Sequence, residues 1–475
     1  MMKEKQQIEQ YFAEHKDAFI EHIRRLVRIH SVKGEAQAGM PFGEGPAEAL
    51  KETLIIAEEL GLLTNNIDNY VGTISINEED TKLGILGHVD VVGEGKNWSY
   101  DPYEGTIVDG KMYGRGTSDD KGPVIAAMYA LAAVKDLGFP LAYNTKLIVG
   151  TDEESGMEDL DYYLTKEKTP PYLFTPDAEF PVINIEKGAI RTSFDASFAK
   201  TDKLPRVLSV SGGYKVNVVP PEAIAEIEGM LLPDISEIAL RVTEKTGVNF
   251  ELQDLGKERV HIKAVGVGGH ASTPETAINA ITGLLTLISK LPLSEEEGHR
   301  MLRGVADIFP HQDYYGKAAG LAMEDKESGK LTMNFSIFEY SSDGQLKGMF
   351  DSRVPLCATE ANTFDVLEPK LADYGIRLER GGFEKPHHTP ADSPFVRTLL
   401  HVYEQYTGLK GDCIAIGGGT YVHDIEGGVA FGPTMPGIDT RMHSNDEFII
   451  IDDMLKAAQI YAQVIVELCG ADKQQ

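Results

Sequence analysis

Residues 85–123 run ILGHVDVVGEGKNWSYDPYEGTIVDGKMYGRGTSDDKGP, and the architecture follows from how this stretch alternates. Leu83–Gly87 is a short, continuous apolar run, the pattern of a strand buried on both faces. GTIVDGKMYG predicts a hairpin turning at Asp109-Gly110, because both central positions of such a turn need positive φ. Pro123–Leu137 is an alanine-rich helix stopped at Gly138. Lys146–Gly150 is a second buried strand. A strand, a helix and a further strand in this order imply parallel pairing through a crossover.

Upstream, Ile8, Phe12, Phe19, Ile20, Ile23, Leu26 and Val27 recur at helical spacing, and a second helix runs through Leu50, Leu54, Ala57 and Leu60 to Gly61. Val71–Ile76 is a further strand. From about Ile190 to Arg380 the pattern changes to strands (RTSFDASF, RVHIKAVGV, LTMNFSIFEY) and two helices, Pro274–Leu291 and Asn362–Tyr374, as in an inserted α+β region. From Ser393 the α/β character returns, with helix Phe395–Tyr406, a glycine-rich loop at Gly417–Gly419 and a last helix, Asp452–Leu468. The expected fold class is α/β: a mostly parallel-sheet domain sandwiched by helices, residues 1–187 and 385–475, interrupted by an α+β domain, residues 188–384. Two domains also fit the 475-residue length, since single cores stop growing near about 250–300 residues.

The net charge of -29 repels nucleic acid, and there is no basic stripe to offset it. The N-terminus is charged throughout and no run is apolar enough to span a bilayer, so no membrane partner is expected and a cytoplasmic protein is. The three cysteines, Cys357, Cys413 and Cys469, form no CxxC pair. Any metal site must therefore use histidine and carboxylate.

Five places carry such residues. His88 and Asp90 follow a buried strand and point the same way, so Asp90 can orient a ligating His88. Asp119 and Asp120 lie between a glycine-rich loop and a helix start, where one can cap the helix while the other bridges cations. Glu153 and Glu154 end the next buried strand; diverging neighbours can divide the tasks of metal ligand and general base. Asp177 follows the apolar Tyr172–Phe174 run, and His443 precedes the last helix. Each is weak alone. Together they suit a pair of divalent ions, with zinc, manganese and cobalt all chemically allowed.

With these motifs in hand, the chain resembles the co-catalytic metallopeptidases that include aminoacylases, glutamate-type carboxypeptidases, carnosinases and acetylornithine deacetylase, and within them the dipeptidase branch. The resemblance covers nearly the whole chain, and residues 85–123 carry most of it. It implies that His88 and Asp177 bind one metal ion, Glu154 and His443 the other, and that Asp119 bridges them through a residue pair, Asp119–Asp120, joined by a cis peptide. It implies that Asp90 orients His88 and that Glu153 is the general base. The inserted region corresponds to a lid domain, in which His270 of GVGGHASTP steadies the oxyanion, while Asn217 and Arg353 contact substrate. A guanidinium suits a substrate carboxylate, because it can make two parallel bonds to it. Gly418, Gly419 and Thr420 of the GGGTY loop can offer backbone N–H groups to a substrate terminus.

The resulting expectation is a dipeptidase for small peptides with unblocked termini, holding two divalent ions, zinc first. A monomer is expected, from the large lid. An N-acyl amino acid deacylase of the same chemistry is the alternative, and a metal-stabilised binding protein without catalysis is a more distant one. His387 and His388 match no ligand position of the family and are expected to be loop histidines.

Overall fold

The computed structural model describes residues 2–200 and 202–471. The chain divides into two compact units. The first runs to Ile185 and resumes over His387–Ile414 and from Gly419; the second comprises Glu186–Pro386 and Ala415–Gly418. The division thus passes through the GGGTY loop, leaving Gly417 and Gly418 with the second unit and Gly419 and Thr420 with the first.

In the first unit the strands Asn144–Gly150, Thr81–His88, Tyr172–Thr175 and Val429–Ala430 lie side by side and all pair in parallel. Outside them the pairing turns antiparallel, with Val71–Ser75 against Asn144–Gly150 on one flank and Val182–Glu186 against Val429–Ala430 on the other. Among the described residues the sheet has nine strands. Helix Lys121–Asp136 is buried on all sides from Lys121 to Val134. A helix without a polar face must be covered all round, and here helices Lys16–Val27 and Ile451–Cys469 and the strand Thr81–His88 cover it. Gly87 is required at the strand end: a Cβ there would meet Asp120 Oδ2 at 2.5 Å and Val124 Cγ2 at 2.8 Å. The expected hairpin forms from Thr106–Val108 and Lys111–Tyr113, with φ of 50° at Asp109 and 77° at Gly110.

The second unit is built on an antiparallel sheet. Strands Glu222–Glu228 and Arg259–Val265 bury alternate residues, as a sheet does when one face packs on helices and the other meets water. Helix Ala280–Ile288 packs on them.

Three local expectations need correction. The N-terminal helix is two, Met2–Glu14 and Lys16–Val27, meeting at His15, whose ring stacks on Tyr11 and whose Nδ1 donates to the Tyr11 carbonyl at 2.7 Å. The helix expected from Pro274 is a 3-10 turn, Pro274–Thr276, and helix Ala280–Ile288, which Asn279 caps by accepting from Thr282 N. His387 and His388 form an edge strand beside Val182–Glu186, not a loop, and His387 is buried with Nε2 donating to the Gly428 carbonyl at 2.8 Å. Among the described residues no helix is long and apolar enough to cross a membrane.

Candidate metal centre

Parallel strands present their carboxyl ends along one edge of a sheet, where ligands of open α/β folds bind. His88 ends its strand in register with Gly150, so the loop carrying Glu153 and Glu154 leaves the sheet beside it. Asp177 leaves the next parallel strand two residues after Thr175, whose hydroxyl accepts the Asp177 N–H. His443 comes from the segment before the last helix, with its backbone at φ 59°, a left-handed conformation uncommon outside glycine that can mark a functional site.

These residues gather into two adjoining groups, His88 with Glu153 and Asp177, and Asp119 with Glu154 and His443. Asp119, a member of the second group, also contacts His88 of the first. Its Oδ1 lies 3.1 Å from His88 Nε2, and its Oδ2 lies 2.9 Å from His443 Nε2. His443 Nε2 is also 3.2 Å from Glu154 Oε2, and His88 Nε2 is 3.7 Å from Asp177 Oδ2. The Asp119–Asp120 peptide is cis.

Asp90 anchors the arrangement in two ways. His88 Nδ1 donates to the Asp90 backbone carbonyl at 3.0 Å, with the Asp90 carboxylate 3.3 Å away. The same carboxylate accepts the backbone N–H groups of Glu153 and Glu154, at 3.2 and 3.1 Å. Asp90 therefore fixes the His88 ring and the glutamate turn together. Asp120 does not cap its helix: its Oδ2 accepts the His88 N–H at 3.1 Å and ties the helix start to the strand end.

The donor set fits divalent cations. With Nδ1 donating to a carbonyl, a neutral His88 turns the Nε2 lone pair toward carboxylate oxygens. That contact is repulsive unless a proton or a cation stands between. His88 Nε2 and Glu154 Oε1 are buried without a hydrogen-bond partner among the described residues. The acid–base balance of the protein without metal says the same. Burial, with nearby carboxylates adding to it, pushes Glu153 well up. Burial also raises Glu154 and Asp177. Burial opposes ionisation of Asp119, yet the bonds from His443 and His88 outweigh it and hold that carboxyl far below its usual range. Asp119 and Glu154 push His443 up to about 11. Protons crowd onto the histidines because the cluster has a surplus of negative charge, and cations relieve such a surplus.

Residues absent from the sequence expectation hold this centre in place. Glu447 is fully buried and pairs with Arg115 at 2.5 Å; its carboxylate accepts the backbone N–H groups of Gly116, Ser118 and Asp119. Arg115 also donates to the Ser444 carbonyl at 3.1 Å, next to His443. Asp159, also buried, accepts the N–H groups of Thr151 and Asp152 and the Tyr421 hydroxyl, clamping the strand end that leads to Glu153.

In the second unit, Gly269–His270 pairs with Val218–Val219, and Ala271 donates to the Asn217 carbonyl at 2.9 Å, so Asn217 and His270 are neighbours. Asn334 donates to the Val218 carbonyl at 3.0 Å and accepts from Asn279, bracing that strand pair. The Asn217 amide oxygen is buried with no hydrogen-bond partner among the described residues. Arg353 is held by Asp351 through Nε at 2.7 Å and Nη2 at 3.0 Å, and its Nη1 donates to the Gly417 carbonyl. In the first unit, Thr420 caps the short turn Tyr421–Asp424.

Two histidines and a surplus of carboxylates, gathered where loops and strand ends of a largely parallel sheet meet, fit a metal-dependent hydrolase. The chain belongs to peptidase family M20/M25/M40, whose model matches residues 84–467. It is 38% identical over 465 residues to YtjP of Bacillus subtilis (strain 168), covering 95% of this chain and 97% of that protein. It is 35% identical over 465 residues to the beta-Ala-Xaa dipeptidase of Lactobacillus delbrueckii subsp. lactis, covering 95% and 96%. The fold is similar to that of human carnosine dipeptidase 1, with a TM-score of 0.59 at 17% identity over 98% of both chains. Family membership brings divalent metal ions with it, and the two groups of donors agree.

Proposed function

We propose that this protein is a cytoplasmic, monomeric dipeptidase that hydrolyses small peptides with unblocked termini, using two divalent ions, zinc first and manganese or cobalt after it. The observation that carries the reading is the pair of adjoining donor groups, joined by the contacts of Asp119 with His88 and His443, in a chain 35% identical to a beta-Ala-Xaa dipeptidase along almost its whole length. His88 and Asp177 would hold one ion, Glu154 and His443 the other, and Asp119 both. Bound there, the ions supply Lewis acidity toward a carbonyl and lower the pKa of water.

The chain's own residues do the rest. Glu153, whose carboxyl burial holds well up, takes the proton of the attacking water and passes it to the leaving amine nitrogen. Its place in one donor group with His88 and Asp177 supports that role. Asp90 orients His88 and keeps the glutamate turn against it. His270 donates to the oxyanion that develops from the scissile carbonyl. Arg353 spends three of its five N–H donors on Asp351 and Gly417, which leaves two for a substrate carboxylate. Asn217 offers an amide oxygen without a hydrogen-bond partner among the described residues, and the backbone N–H groups of Gly418, Gly419 and Thr420 complete the contacts to the substrate ends.

The test is a panel of unmodified dipeptides, a tripeptide and N-acetylated amino acids, run on chelator-stripped protein with and without added zinc or manganese. Metal-dependent cleavage of dipeptides alone is the expected result. Cleavage of the acetylated compounds instead would make the protein a deacylase.

A further inference from the structure

The His270 ring has a definite protonation pattern. Its Nδ1 lies 3.2 Å from the backbone nitrogen of Ser272, which bonds to it, and 2.6 Å from the Ser272 hydroxyl. A backbone N–H can only donate, so Nδ1 must supply the lone pair. A neutral imidazole has one donor and one acceptor nitrogen; the ring proton is then on Nε2. The hydroxyl, able to rotate, adds a second donor to the same lone pair.

We propose that Ser272 is a positioning residue that sets the tautomer and orientation of His270, presenting Nε2–H as a fixed hydrogen-bond donor. Its catalytic consequence rests on the oxyanion role given to His270 above; the tautomer itself does not. The surroundings lock the pair from the backbone side as well. His270 is in register with Val218, whose carbonyl Asn334 holds, and Thr332 donates to the Ser272 carbonyl at 3.2 Å. An Nδ1–H ring would set two donors, the ring N–H and the Ser272 N–H, against each other, and could not donate from Nε2.

The same unit contains a contrasting histidine. Buried His299 accepts the Val207 N–H at its Nε2, at 3.2 Å, and its Nδ1 contacts the Ser294 carbonyl at 2.8 Å. That ring must be the Nδ1–H tautomer. The two histidines therefore form an internal pair of opposite assignment.

Nitrogen-15 NMR of the histidine rings of the intact protein tests this directly, at about pH 8, well above the ordinary histidine pKa of about 6.5. His270 and His299 are assigned by the signals lost in His270→Asn and His299→Gln. The expected result is a protonated Nε2 and a bare Nδ1 for His270, with the reverse for His299. Ser272→Ala keeps the backbone N–H, and with it the Nε2–H tautomer, but loses the hydroxyl that holds the ring; it should lower kcat on a dipeptide about tenfold with little change in KM, the low end of the effect seen for groups that orient ligating histidines. Ser272→Thr, which keeps the hydroxyl, should restore kcat. An Nδ1–H ring at His270 in the wild-type protein overturns the proposal, as does a Ser272→Ala variant matching wild type in kcat where His270→Asn does not. Unchanged kcat in His270→Asn beside the expected spectrum would instead sink the oxyanion role and leave the tautomer assignment standing.

Discussion

Asp119 turns one carboxylate oxygen to each of two histidines, Oδ1 to His88 at 3.1 Å and Oδ2 to His443 at 2.9 Å. A residue so placed can serve both donor groups at once. Asp119→Ala should therefore weaken metal at both, and not merely at one. Metal content after dialysis against a fixed free-zinc buffer measures this; one ion retained at wild-type affinity would limit Asp119 to a single group.

Glu447 and Arg115 hold the loops on which Asp119 and His443 ride. Removing one partner of a buried ion pair leaves the other uncompensated, a cost of about 3–5 kcal/mol. Glu447→Ala is expected to lower the denaturation midpoint by that order, and Arg115→Met combined with it should cost less than the sum of the two. Strict additivity would show that the pair does not act as a unit. Both effects are expected in metal-free protein, since the contacts involve no ligand.

Asp159 sets a pH dependence. Burial raises its carboxyl from an ordinary 3.8 to about 6, against the bonds from Tyr421, Thr151 and Asp152. The folded state thus holds this proton more tightly than the unfolded chain. The stability it contributes is fully present below about pH 4 and is lost as pH rises through about 6. Asp159→Asn cannot titrate. Its stability relative to wild type should improve by up to about 3 kcal/mol between about pH 4 and pH 7, read from urea midpoints of metal-free protein. A constant offset across that range contradicts the assignment.

Most residues of the two donor groups were legible because they sit where local pattern is strong. His88, Glu153–Glu154 and Asp177 each follow a continuous apolar run, and a strand end is visible from such a run alone. The residues that support them were not. Glu447 is one of 74 acidic residues, and its partner Arg115 lies 332 positions away; no local period joins them. A usable hint was present in the buried run Phe448–Ile450 directly after it, which draws Glu447 inside. Asp159 and Tyr421 meet across a similar gap. Asp120 looked like a helix cap, and its helix position is right, but tertiary contact with the His88 N–H took the carboxylate instead. The helix expected from Pro274 began too early because proline suits a first helical turn, whereas the side chain that starts it is Asn279.

The central claim is a dipeptidase whose turnover depends on two ions at the Asp119 centre and on Glu153 as base. Its most direct test is dipeptide hydrolysis by chelator-stripped protein during stepwise addition of zinc, with Glu153→Ala alongside. The account predicts no turnover without metal, full turnover at two equivalents per chain, and a Glu153→Ala protein that binds the same metal yet turns over at least about 10²–10⁴ times more slowly. Hydrolysis by the stripped protein, or near-normal kcat in the metal-loaded variant, would contradict it.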